Sequence, residues 1–176
     1  MKNLPKKCRI NTMIVQTKIE SITEKKLIGI RMQMNFSNYQ IGLLWGKFIP
    51  KCAQIKNRIS SDLLSLAVYP KSFSFSKKDF NPESHFERWG GVEVNDFEHI
   101  PSDMESLVIP AGEYAIFHYK GLNTDVRIFE YIHGEWLPDS MYALDHRPHF
   151  EVLGDKYRNG DPNSEENIYI PIRPKK

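Results

Sequence analysis

A glutamate stands mid-way through "PHFEVL" at residues 148–153, between Phe150 and Val152, in a stretch whose bulky residues favour a β-strand. A charge there has no helical or capping task. Ringed by aromatic side chains, such a carboxylate recognises a cation through its charge and the ring faces, and desolvation raises its pKa toward general-base chemistry. Glu151 is therefore the first candidate, as the centre of a binding site and, if the protein is an enzyme, as its catalytic base. Alternation supplies neighbours. In the same strand Pro148, Phe150 and Val152 share one face, leaving His149, Glu151 and Leu153 opposite. In "FERWGGVEV" (86–94), Phe86, Val92 and Val94 form one face and Glu87, Trp89, Gly91 and Glu93 the other. In "NIYIPI" (167–172), Ile168, Ile170 and Ile172 face the core and Tyr169 and Pro171 turn away. These patterns predict one non-core surface holding Glu151, Glu87, Trp89 and Tyr169. The Gly90–Gly91 pair reads either as room beside Trp89 for a ligand or as a bulge next to a core tryptophan. Tyr39, Phe117, Tyr119 and Tyr131 complete the candidate groove liners, with orientations that the pattern leaves open.

Those side chains must be positioned by elements that repeat. "KLIGIRMQM" (26–34) alternates as a half-buried strand, and Ile41, Leu44, Trp45, Phe48, Cys52 and Ile55 recur at spacings of three and four, an amphipathic helix over 39–57 that Pro50 kinks or resets after Phe48. Strands at 63–70 and 85–96 follow, separated by a polar loop over 71–84. The second half runs the same course. Two strands flank the Pro110–Gly112 turn within 107–121, and a helix spans 124–136 with Val126, Phe129, His133 and Trp136 on one face. Strands at 148–157 and 167–172, joined by "RNGDPNSEE", close the chain. "GKFIP" (46–50) and "GEWLP" (134–138) are matching phrases at matching places, so Trp45 and Trp136 read as helix residues turned to the core. Two such repeats related by a pseudo-twofold bury one sheet under two helices and leave a groove where the halves meet.

Composition narrows the function classes. The 176 residues carry a net charge of +2 with 40% hydrophobic and 12% aromatic content, the make-up of one compact domain without the field that nucleic acid binding requires. Lys2, Lys6, Lys7, Lys175 and Lys176 read as solvated tails, and residues 1–13 as a flexible basic extension ahead of a domain over 14–176, with half-repeats of about 14–100 and 101–176. No apolar run suits a signal-peptide core or the ~20 residues of a membrane span, so a cytoplasmic protein is expected. Cys8 reads as incidental and Cys52 as core. His146 and His149, with Asp145 and Asp155 nearby, lack a third ligand; no metal and no cofactor are expected. Neither a nucleophile elbow nor a phosphate-binding glycine loop occurs.

Four motifs in order, "FERWGGVEV" (86–94), "IPAGEYAIFHYKG" (109–121), "IHGEWLPDS" (132–140) and "RPHFEVLGDKYRNGDPNSEENIYIPI" (147–172), make the chain from about Met13 onward resemble the GyrI-like small-molecule-binding proteins. These are relatives of the effector-binding domains of AraC-type and MerR-type regulators. The resemblance implies an α+β fold of two pseudo-symmetric βαββ units, an antiparallel sheet with two helices and a central ligand groove, with the residue matching Glu151 at its centre. It implies a small amphipathic, cationic or aromatic ligand. Leu153 stands where many members carry tyrosine, and Asn167 where an acidic residue is common; both departures bear on the identity of the ligand. Because the first clear strand begins near residue 26, too early for helix-turn-helix arms to precede it, the expected function is a stand-alone sensing or sequestering protein with no direct nucleic acid contact. Some members hydrolyse electrophilic cyclopropane-type toxins, which would make Glu151 a general base aided by Glu87 or Tyr169. One inhibits DNA gyrase, which would make an outer surface the functional one. The ligand's identity and the oligomeric state are not written in these residues.

Overall fold

The computed structural model describes residues 14–176; Cys8 and the three amino-terminal lysines lie outside them. Among the described residues, nine strands and two helices form an α+β fold. In chain order they are β1 (Ile14–Ile22), β2 (Lys25–Met34), α1 (Ile41–Phe48), β3 (Leu63–Val68), β4 (Phe86–Val94), β5 (Glu105–Ile109), β6 (Gly112–Lys120), α2 (Arg127–Tyr131), β7 (Tyr142–Leu144), β8 (His149–Leu153) and β9 (Glu165–Pro174). All pairings are antiparallel, in the order β1-β6-β9-β8-β3-β4-β2-β5, with β7 added alongside β9.

This order is symmetric about the β3–β8 pair, where Leu64 faces Val152 and Ser65 faces Glu151. β2-α1-β3-β4 corresponds to β6-α2-β8-β9, the duplicated βαββ unit. Each unit's leading strand has crossed to the other: β1 pairs with β6, and β5 with β2. Since only two residues join β1 to β2 and β5 to β6, the sheet must curl until its ends meet. Ile22, Leu27, Ile109 and Tyr114 fill the concave side with Trp89 and Phe150. Besides the three-residue β7, one strand is unexpected, β1. Residues 16–20 along it are exposed, so it carries little of the apolar alternation by which strands are recognised.

Both helices lie on the other side of the sheet. α1 buries Leu44 and Phe48 and continues as 3-10 turns over Ile49–Gln54, with Pro50 near their start, where a missing N–H costs nothing. It covers Ile28, Val92 and Val94. α2 runs through a π turn (Ile132–Trp136) and a last α turn (Leu137–Asp139), and seats Ile128 and Ile132 on Phe117, Ile168 and Ile170. The expected apolar face Val126, Phe129, His133 and Trp136 is only half right. Phe129 and Trp136 pack inward, whereas Val126 precedes the first helical turn and is 63% exposed, and the fully buried stripe belongs to Ile128 and Ile132, four residues apart on one helix face. Among the described residues no helix is long and apolar enough to cross a membrane.

Candidate functional site

The register decides which candidates meet. Glu151 pairs with Ser65 and Ile168, placing it on the helix-bearing face between α1 and α2. Trp89 pairs with Leu66 and Tyr169 with Phe150, which puts both on the concave face. The shared surface of Glu151, Glu87, Trp89 and Tyr169 is therefore not formed, because both sides of this sheet are covered and an apolar residue marks neither as the core side. Trp89 is 3% exposed. Its indole donates to Glu87 Oε2 at 3.2 Å, and Arg31 Nη1 donates to Glu87 Oε1 at 3.0 Å, so Glu87 is held in a surface network away from the groove. Phe117 and Tyr119 belong to the core beneath α2, the Tyr119 hydroxyl donating to the Leu122 carbonyl at 3.1 Å, and Tyr131 packs beside them. Of the eight candidates, Glu151 and Tyr39 share the groove.

The glycine pair clears room for the protein's own atoms. A Cβ on Gly90 would lie 3.3 Å from the ring of Trp45, so α1 is seated by that indole on the strand. A Cβ on Gly91 would lie 2.6 Å from the Ile28 carbonyl oxygen.

Arg88 and Glu166, not anticipated, complete the floor with His149, which alternation already put on the face of Glu151. Arg88 is 6% exposed, donates through Nη2 to Ser65 Oγ, and holds that nitrogen 3.7 Å from Glu151 Oε2. The Tyr39 ring covers the guanidinium, 5.9 Å from its carbon. His149, two residues from Glu151 on the same face, lies edge-on to Tyr69 with ring centroids 4.9 Å apart. Glu166 shares the face of Ile168 and is raised to about 8 by burial and then by the negative charge of Glu151, with Arg88 opposing. Arg88 in "FERWG" is, like Glu151, a charge in mid-strand among bulky residues.

Aromatic residues roof this floor. The loop between β3 and β4 is bound to the loop after β2 by the Phe36 and Ser37 amides, which donate to the Pro82 carbonyl at 2.9 and 3.2 Å. It carries Phe73, Phe75 and Phe80 into a cluster with Phe36, Tyr69 and Phe86. Phe75 stacks on His133 of α2 with centroids 3.9 Å apart and planes within 6°, bridging the halves. A cleft of about 530 Å³ opens beside it, lined by Phe73, Phe75, His133, Leu137 and Leu144. The polar loop expected over 71–84 is thus the aromatic roof, signalled by the phenylalanines of "SFSFS" in a segment with no strand or helix to bury them.

Burial sets how the site titrates. His133 is lowered to about 4 by burial, and His149 falls well below 6.5 through burial and the nearby His133 and Arg88 charges. Neutral histidines therefore stabilise the fold at pH 7, and that contribution is lost as pH falls from 6.5. Glu166 acts in the opposite sense. The folded chain holds a proton that an ordinary carboxyl near 4.5 has released, so its contribution is full below about 4.5 and is lost as pH rises through about 8. Between pH 6.5 and 8 the melting temperature is expected to decline in the wild type and to stay level in Glu166→Gln. Calorimetric scans across that interval check it, and a level wild-type profile contradicts the buried-acid assignment.

Residues 16–173 match the model of the GyrI-like small molecule binding domain. The transcriptional regulator BrlR of Pseudomonas aeruginosa is 28% identical over 134 residues, 75% of this chain and 46% of BrlR, so the chain spans about half the length of that relative. Among solved structures, SAV2435 bound to tetraphenylphosphonium superposes with a TM-score of 0.65 at 16% identity, over 90% of this chain and 94% of that one. A hydrolase encoded by lin2189 from Listeria innocua superposes with a TM-score of 0.56 at 10% identity, over 94% and 96%. At such identities these structures share the fold. Curled duplicated sheet, paired helices, inter-helix carboxylate and the match over nearly the whole described chain agree: the protein belongs to the GyrI-like small-molecule-binding domain family.

Proposed function

We propose that the protein binds an amphipathic, cationic or aromatic small molecule in the groove between α1 and α2, with Glu151 receiving the positive charge and Tyr39, Tyr69 and Trp45 forming its walls. The observation that carries this reading is a half-buried carboxylate between two helices under aromatic rings, where low polarity strengthens both charge and ring-face attraction. Trp45 abuts the floor at Gly90 and so serves as a reporter. Titration with tetraphenylphosphonium is expected to quench its fluorescence saturably and raise the melting temperature by mass action. A titration without either effect removes the reading. Sensing or sequestering would follow from such binding.

One observation favours a second reading, hydrolysis of electrophilic cyclopropane-type compounds in the same groove. A carboxyl that ionises near 8 beside Glu151 exchanges protons near neutral pH, as a general acid or base must. Chromatographic detection of a ring-opened product, absent in Glu166→Gln, would convert the receptor into an enzyme.

A further inference from the structure

Resting on the groove reading above, we infer that the ligand is a zwitterionic amphipath: an aromatic cation that also carries a carboxylate, its cationic centre at Glu151 and its carboxylate at Arg88. The groove floor is an ion pair and not a bare anion. Arg88 Nη2 is shared between Ser65 Oγ and Glu151 Oε2, the latter at a loose 3.7 Å. Arg88 Nε is fully buried and has no hydrogen-bond partner, an uncommon condition for a donor of a permanently charged group. Beyond that pair its charge faces the Tyr39 ring and acts on Tyr69, His149 and Glu166, none of which hydrogen-bonds to Nε. A guanidinium arranged in this way is under-used. Its fork matches a carboxylate, which takes two N–H groups at once, better than any other common ligand group.

Access requires Tyr39 to swing aside. It is 43% exposed in the loop before α1, where, among the described residues, Phe36 alone stacks on it, with centroids 6.0 Å apart. Charge selects the rest of the ligand. A simple anion meets the repulsion of Glu151, and a simple cation must share Glu151 with Arg88. A molecule carrying both signs satisfies each member of the pair, and its aromatic body takes the place of the Tyr39 ring over the guanidinium.

The test compares two probes of one scaffold, (4-carboxyphenyl)triphenylphosphonium, a zwitterion at neutral pH, and its methyl ester, a cation of nearly the same shape. Isothermal titration of the wild-type protein is expected to show the zwitterion bound about tenfold tighter, the scale of one charge-assisted contact. That ratio is expected to collapse toward one in Arg88→Gln and to persist in Glu151→Gln, where both probes weaken together. If Arg88→Gln does not fold, the wild-type ratio and Arg88→Lys, which keeps the charge and loses the fork, decide the matter. Equal or tighter binding of the ester by the wild type overturns the role of Arg88 while leaving the groove reading intact. Binding of neither probe overturns both.

Discussion

Replacing Glu151 with glutamine is expected to weaken tetraphenylphosphonium binding roughly tenfold to a hundredfold, about 1–3 kcal/mol, the scale of an interaction with a charged group. The substitution preserves shape, and the strand register through Ser65 and Ile168 is held by backbone hydrogen bonds that it does not touch. What changes is charge. The cation loses its attraction, and Arg88 then adds an uncompensated positive charge 3.7 Å from the former carboxylate. For the same reason the variant is expected to be less stable than the wild type by about 1–2 kcal/mol, below the 3–5 of a fully buried broken pair because Glu151 retains contact with solvent. Paired titrations and thermal melts measure both quantities. An affinity unchanged within error would remove Glu151 from the site.

The largest effect on stability is expected at Gly29. A Cβ there would lie 2.3 Å from the Gly90 carbonyl oxygen and 2.8 Å from Gly91 Cα, distances that only movement of one strand can relieve. Gly29 and Gly91 are direct partners across β2 and β4, and the pair carries Arg88 and Trp89 on the same strand. Gly29→Ala is therefore expected to cost about 3 kcal/mol or more, at the upper end of overpacking, and to lower the melting temperature by roughly 6–12 °C. Gly46→Ala supplies the contrast. Its Cβ meets nothing within 4 Å on a helix, and helical propensity makes it stabilising by about 0.5–1 kcal/mol. Thermal unfolding of the two variants side by side tests the claim, and a Gly29→Ala protein as stable as the wild type would refute the close strand approach.

Residue order alone determined a good deal of this protein. The repeated phrases at 46–50 and 134–138, the periodicities of two and of three to four, and the charge at Glu151 mark two βαββ halves and one polar centre. They do so because local periodicity is set by backbone geometry, which acts over a few residues. The break after Phe48 was legible for the same reason, since Pro50 acts within its own turn. Tertiary structure decided the remainder. A strand's alternation separates two faces without saying which is covered, and here the curl covers one and the helices the other, so Trp89 and Tyr169 lie across the sheet from Glu151. The exchange of β1 and β5 between halves, the meeting of Arg88 with Glu151, and the reach of Phe75 from its loop to His133 join residues 58 to 105 positions apart. Such contacts depend on how the curled sheet brings distant segments together, and no periodicity along the chain encodes them.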